Sequence, residues 1–216
     1  MIHVVTAANR RFYEQELDEM HRLRWAFFID QRGWSDLKAA QSKLGFERDE
    51  YDDERAVYLL ALSDEGGVQG SMRLRPTDDK SLVGDKFPAL IAPETDLQLG
   101  AQIWEITRLM RSPEHRGAEG ELRLRINCAA CEFALSREIS RFVCVVDTFL
   151  LPAMRALNRD KHRVLGLPHP YAEGEMIAVE LKPDEGWLAR CRALAGFAGP
   201  VMYERPVEAG NIQEAA

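Results

Sequence analysis

Apolar positions recur along this chain with two different periods, and the switches between them lay out a fold. Val57 to Leu62 and Val68 to Leu74 are short apolar runs joined by Ser-Asp-Glu-Gly-Gly, which predicts a hairpin with glycine in its turn. Ile103 to Met110 and Phe142 to Val146 are further runs of strand length, and residues 2–6 and 176–181 complete the set. Elsewhere the period is helical. Phe12, Leu17, Met20, Leu23 and Phe27 form one stripe over 10–29, with Asn9 expected as its N-cap. Leu122, Ile126, Ala129, Ala130, Phe133 and Ala134 form another over 121–137, and shorter helices are predicted over 150–157 and 183–194. Residues 35–56 and 79–99 carry no period and read as loops. Strands paired first by a hairpin and then through a helix give an α/β class, a mixed central sheet flanked by helices. One domain is expected over 1–206, with a flexible tail from 207.

Two strands carry charges that need a reason to be there. On the second hairpin strand Arg73 and Arg75 share a face opposite Met72 and Leu74, and the 103–110 run contains Glu105 and Arg108. In a regular strand Glu105 and Thr107 point to one side and Arg108 to the other, so a shared pocket requires a bulge between them. Ser112 and Pro113 then stop the pairing, and the turn Arg116–Gly120, with Gly117 inside it, leads into a helix start. A strand, a glycine turn and a helix N-terminus in that order suit an anion, a phosphate being the expected guest. Taken alone, Arg-Gly-x-x-Gly is no more than many tight turns contain.

Composition narrows the partners. A net charge of -7 over 216 residues argues against a general nucleic-acid binder. No apolar run approaches the ~20 residues of a membrane span, and no basic-then-apolar signal region opens the chain, so a cytoplasmic protein with no membrane partner is expected. Cys128, Cys131, Cys144 and Cys191 read as reduced core thiols, the Cys128-x-x-Cys131 pair lying inside a helix without further ligands. Glu47, Asp49, Glu50, Asp52, Asp53 and Glu54 crowd one loop, either as a solvated acidic run or as partners for Arg24 and Arg73.

Nine scattered positions taken in order carry a resemblance: Arg24, Phe28, Trp34, Asp49, Asp52, Arg73, Phe87, Glu105 and Arg108. Over residues 1–182 the chain resembles the acyl-homoserine-lactone synthases, the LuxI-type autoinducer synthases. The resemblance implies an acetyltransferase-like (GNAT-like) fold with a V-shaped split in the sheet, holding the acyl chain and its phosphopantetheine arm. It also implies joining of an acyl thioester to S-adenosylmethionine, followed by lactone closure, with no metal or other cofactor. Arg24, Phe28, Trp34, Asp49, Phe87 and Glu105 are then expected around S-adenosylmethionine, and Thr107, Arg108, Met110, Arg116, Gly117, Thr148 and Phe149 along the thioester arm and acyl group.

The implied chemistry accounts for these residue types. The methionyl amine must lose a proton before it attacks, and Glu105 is the expected base, acting through water. Phe28 and Trp34 suit an adenine or a sulfonium, while Asp49, Asp52, Arg24, Arg73 and Arg108 form either an ion-pair network or direct ligand contacts. A hydroxyl at Thr148 would favour a 3-oxo or other polar acyl group. The donor is an acyl carrier protein, docking on Arg155, Arg159, Lys161 and Arg163, or coenzyme A, toward which Asp147-Thr-Phe-Leu-Leu-Pro152 and Leu165-Gly-Leu-Pro168 point. The alternatives are an ordinary amine N-acetyltransferase, which has no need of Arg24, Trp34 and the Asp49/Asp52 pair, and a non-catalytic acyl-coenzyme A sensor.

Overall fold

The computed structural model describes residues 1–34, 43–113, 119–172 and 174–207. Its strands are β1 (Ile2–Val5), β2 (Val57–Leu62), β3 (Val68–Pro76), β4 (Ile103–Arg111), β5 (Arg141–Asp147), β6 (His162–Val164), β7 (His169–Tyr171), β8 (Gly174–Leu181) and β9 (Met202–Glu204). They form one mixed sheet in the order β6-β8-β5-β4-β3-β2-β1-β9, with β7 paired to β8. The helices are α1 (Glu14–Arg24), α2 (Leu82–Lys86), α3 (Glu119–Ser136), α4 (Leu151–Asn158) and α5 (Glu185–Ala195). None of them, among the described residues, is long and apolar enough to cross a membrane.

The single helix expected over 10–29 is three pieces: a 3-10 turn at Arg10–Phe12, α1, and a π-helical turn at Trp25–Gln31. Asn9 does not cap it. Its side chain accepts from the Thr6 N–H and donates to the Val4 carbonyl, tying the end of β1 instead. The 79–99 segment, expected as a loop, contains α2, whose N-cap Ser81 accepts from the Gly84 N–H. β6, β7 and β9 are three-residue strands too short to show a period. Most of the expected tail lies outside the described residues.

One face of the sheet packs on α3 and α5, where Leu59, Met72, Leu74 and Ile106 meet Ile126, Phe133 and Trp187 in the main core. That approach is close: a Cβ at Gly70 would stand 2.9 Å from the Met110 carbonyl oxygen and 3.1 Å from Leu122, so only glycine lets α3 sit there. All four cysteines are free and buried in this region, and burial pushes the Cys128, Cys131 and Cys144 thiols up to about 12. The other face carries α1 over Tyr58, Leu60 and Met110. Beside it a third cluster joins Val83, Leu90, Val143 and Met176.

β4 and β5 run parallel and pair only at their starts, Ile103–Glu105 against Arg141–Val143. Beyond Glu105 the two strands part. That parting is the V-shaped split, and it leaves backbone donors and acceptors facing a gap in the middle of the sheet.

Candidate active site

Three arginines and three carboxylates close a ring beside the split. Arg24, from the last turn of α1, donates to both oxygens of Asp52 at 2.7 and 2.9 Å and through Nε to Glu47 at 2.5 Å. Arg108 reaches Glu47 at 3.0 Å and Asp49 at 2.7 Å. Arg73 joins Asp49 at 2.5 Å and Asp52 at 2.8 Å, which completes the circuit. The side chains of Arg24, Glu47 and Asp52 are 0% exposed. Such charges survive burial because every one faces an opposite charge and the guanidiniums present their planar forks to carboxylates.

The electrostatics follow from this geometry. Burial opposes ionisation of Glu47, but the Arg24 and Arg108 guanidiniums outweigh it and bring the carboxyl down to about 2. Asp52 is held well below the carboxylate range in the same way, burial being overcome by Arg24 and Arg73. Tyr58 donates its hydroxyl to Asp52 at 3.0 Å. His21 Nδ1 lies 2.8 Å from the Glu47 carbonyl oxygen. Burial, reinforced by the charge of Arg24, pulls that imidazole down to about 4.

Arg108 enters the ring because β4 is bulged. Ser71 pairs with Met110 and Arg73 with Thr107, so two residues of β4, Arg108 and Leu109, oppose Met72 alone. Arg108 takes a φ of +53°, which turns its side chain to the same face as Thr107, and Thr107 Oγ1 accepts from Arg73 Nε at 2.9 Å. A bulge is expected between Glu105 and Arg108; the pairing is regular through Thr107, and the bulge is formed by Arg108 itself with Leu109.

A cavity of about 1050 Å³ passes through the split. On the α1 face its mouth is polar and aromatic, with Asp49, Arg108, Thr107, Tyr51, Phe87 and Tyr171 in the wall. Phe28 and Trp34 also line it, stacked on each other at 4.9 Å, with the Arg108 guanidinium 5.5 Å from the Phe28 ring. The edge of Trp34 meets Tyr171 at 5.4 Å, and Arg32 lies 5.3 Å over Trp34 while pairing with Asp147 at 2.6 Å. On the α3 face Ile106, Leu109, Leu124 and Met154 line the cavity, with Arg123 and Asn127 of α3 beside them.

The expected residues divide by placement. Phe28, Trp34, Asp49, Phe87, Thr107 and Arg108 line the cavity, while Arg24, Asp52 and Arg73 lie behind its wall in the ring. Glu105 lies outside the lining. Its oxygens accept from the Leu82 N–H at 2.7 Å, the Val83 N–H at 2.6 Å and the Ser81 hydroxyl at 3.2 Å, so it holds the start of α2. Burial raises its pKa against the opposing pull of those N–H groups. Met110 packs under α1, away from the cavity.

Thr148 and Phe149, expected in the acyl pocket, are turned away by the 3-10 turn Thr148–Leu150. The lining passes from Asp147 to Leu150, and Phe149 is 69% exposed. Arg116 and Gly117, with most of the expected phosphate turn, lie outside the described residues. Of the expected carrier-docking cations, Lys161 pairs with Asp184 and Arg163 with Glu180, while Arg155 and Arg159 are exposed. Sequence reasoning missed Glu47, Arg32 and Tyr171, and gave Asp147 only as the first residue of a segment read toward coenzyme A. Only Glu47 left a signal, as one member of the acidic run.

The family model described as Autoinducer synthase matches residues 8–190. The isovaleryl-homoserine lactone synthase of Bradyrhizobium diazoefficiens is 37% identical over 156 residues, 70% of this chain and 66% of that one, so the match spans about two thirds of that relative. A solved CoA-dependent acyl-homoserine lactone synthase, BjaI, with SAM and isopentyl-CoA superposes with a TM-score of 0.85 at 31% identity, over 95% of this chain and 93% of that one. A second, MesI, gives 0.81 at 30% identity over 94% and 98%. A protein of Lactobacillus plantarum described as an N-acetyltransferase gives 0.56 at 15% identity over 85% and 99%, a likeness of fold alone. The chain belongs to the autoinducer synthase family: it is an acyl-homoserine-lactone synthase, an acyltransferase on the split sheet of the acetyltransferase-like fold.

Proposed function

We propose that this enzyme transfers an acyl group from an acyl-coenzyme A to the amine of S-adenosylmethionine, then closes the lactone with release of 5′-methylthioadenosine. The observation that carries the reading is the cavity at the split, acidic and aromatic on one face of the sheet and mainly apolar on the other, where Arg123 and Asn127 are its polar members. S-adenosylmethionine suits the first side: the stacked Phe28 and Trp34 line it together with Asp49, an aromatic and acidic wall for an adenine or a sulfonium. The acyl thioester suits the gap between β4 and β5, where free backbone groups can pair with an amide-bearing arm. Coenzyme A is favoured over a carrier protein because Lys161 and Arg163, two cations a carrier would use, are already engaged by acids. The free, buried cysteines fit a cytoplasmic location.

In the first step the amine nitrogen attacks the thioester carbonyl. The carbon–sulfur bond breaks, and the proton lost by nitrogen goes to the departing thiolate. An amine with a reference pKa of ~8 is about one-tenth neutral at pH 7, so a dedicated base is not required. Glu105, with its oxygens committed to α2, is assigned a positioning role, holding Leu82, Lys86 and Phe87 in the cavity wall. The bulge at Arg108 and Leu109 breaks the regular ladder beside the cavity, and its backbone N–H groups are our candidates for the developing oxyanion. In the second step a carboxylate oxygen attacks the carbon beside the sulfonium and neutral methylthioadenosine leaves. That displacement is internal and depends on the chain being held bent.

The test is incubation of the purified chain with S-adenosylmethionine and an acyl-coenzyme A. Free thiol, methylthioadenosine and a lactone of the expected mass should appear in equal amounts. Thiol release without methylthioadenosine would support an ordinary N-acetyltransferase, and no release of either would refute the reading.

A further inference from the structure

The segment that begins with α2 bridges the two halves of the sheet and is fastened at both ends. At its start Glu105 of β4 accepts from the Leu82 and Val83 N–H groups. At its far end the Ala92 N–H at 2.8 Å and the Thr95 hydroxyl at 2.9 Å both donate to the Leu165 carbonyl. Leu165 follows β6, and its own N–H donates to Ala178 of β8, so this second anchor belongs to the β6–β8 side of the split. Leu165 is 1% exposed and shares a cluster with Val83 and Leu90.

The residue after Leu165 is what admits the segment there. A Cβ on Gly166 would fall against the Leu90 carbonyl oxygen and stand 2.8 Å from the Ala92 nitrogen. Both are backbone atoms, so a methyl group has no room unless the segment lifts. Phe87 is one turn away. Its carbonyl accepts from the Leu90 N–H at 3.0 Å across the 3-10 turn Pro88–Leu90, and the fixed φ of Pro88 stiffens that turn. The Phe87 ring lines the cavity and lies 6.0 Å from the ring of Tyr171. A shift at Leu90 therefore reaches an aromatic wall of the cavity with little slack between. Resting on the synthase reading above, we infer that Gly166 is a positioning residue: by admitting the Leu90–Ala92 backbone it fixes the Phe87 ring on the S-adenosylmethionine side of the site. Gly166 lies outside the cavity lining, so its effect on that substrate passes through Phe87.

The full chain is assayed with S-adenosylmethionine and whichever of isovaleryl-, hexanoyl- and octanoyl-coenzyme A it turns over fastest. Gly166→Ala should raise KM for S-adenosylmethionine about tenfold or more, with kcat and the donor KM within about threefold of the natural chain. Thr95→Val, which keeps the shape and removes one bond to the Leu165 carbonyl, should raise the same KM about threefold to tenfold. Thr95→Ser should restore it. A cycle with Phe87→Ala isolates the route: in that background Gly166→Ala or Thr95→Val should change KM by less than about twofold. An unchanged KM in folded Gly166→Ala, a rise shared equally by both substrates, or a rise that persists without the Phe87 ring overturns the inference while leaving the synthase standing. If Gly166→Ala does not fold, Thr95→Val and its cycle decide on the same terms. No turnover by the natural chain with any donor overturns the synthase reading and this inference with it.

Discussion

Arg32 and Asp147 are 115 positions apart in the chain and 2.6 Å apart at the mouth of the cavity. Arg32 follows the π-helical turn and Asp147 ends β5, so the pair spans the split between the two halves of the sheet. Both side chains are half-buried, and a pair still reached by solvent contributes on the order of 1 kcal/mol to stability. Its consequence is positional, because Arg32 lies over Trp34, whose other neighbours are Phe28 and Tyr171. Asp147→Asn is expected to raise KM for S-adenosylmethionine about threefold to tenfold, the worth of one hydrogen bond, while kcat changes less. The exchanged pair Arg32→Asp with Asp147→Arg should recover most of the loss that either single change causes. Steady-state kinetics on the four proteins decides this, and an unchanged KM in Asp147→Asn would show the pair to be incidental.

Asp52 and Asp53 are neighbours in sequence with opposite fates. Asp52 lies inside the closed ring and binds Arg24 and Arg73. Asp53 meets Arg75 and Lys80 near the surface, with a side chain 30% exposed. Removing one member of a buried ion pair leaves its partner uncompensated, so Asp52→Asn should cost about 3–5 kcal/mol. Asp53→Asn, where solvent screens the loss, should cost about 1 kcal/mol or less. Urea denaturation of both variants gives the comparison. Equal losses would mean that the ring does not act as a unit.

The backbone course of this site was legible in the sequence, and its closure was not. Alternation along β4 set Glu105 and Thr107 against Arg108 and thereby called for a bulge, which the pairing places at Arg108 and Leu109. Arg73 and Arg75 were readable as one face and Arg73 as a buried charge, while the burial of Arg75 was not legible. Glu47 was hidden because its partners lie 23 and 61 residues away, in a segment without period, so nothing local distinguishes it from its acidic neighbours. The π-helical turn at Trp25–Gln31 has the same apolar content an α-helix would have, and only packing against the site selects the wider turn. Thr148 and Phe149 failed for a related reason: a 3-10 turn rotates side chains in a way that strand or helix spacing does not anticipate.

His21 gives the fold an acid sensitivity that begins above the carboxylate range. Its folded pKa of about 4 lies below the reference 6.5, so above pH 6.5 neither state is protonated and the stability is complete. Below 6.5 the unfolded chain takes up a proton that the folded chain refuses, and stability falls until about pH 4. Glu47, lowered to about 2, has the usual carboxylate sign and adds its own loss below about 4.5. From pH 7 to pH 5, His21 alone should remove about 2 kcal/mol. Denaturant midpoints at those two values should therefore differ in the natural chain and differ much less in His21→Gln. A drop of equal size in both would assign the effect to another group.

Glu105 separates a base from a brace. If it removed the amine proton, Glu105→Gln would lower kcat and abolish the acid limb of the pH–rate profile. Its oxygens instead meet the Leu82 and Val83 N–H groups and the Ser81 hydroxyl, and α2 continues into Phe87 at the cavity wall. A glutamine keeps one acceptor and brings an N–H toward donors, so the start of α2 should loosen and the wall should shift. The expected outcome is a higher KM for S-adenosylmethionine with the acid limb of the profile retained. Ser81→Ala, which removes a neighbouring contact and no titratable group, should move KM in the same direction by less. If Glu105→Gln instead flattens that limb while Ser81→Ala leaves both constants alone, the carboxylate handles the proton itself and its bonds to α2 serve only to aim it.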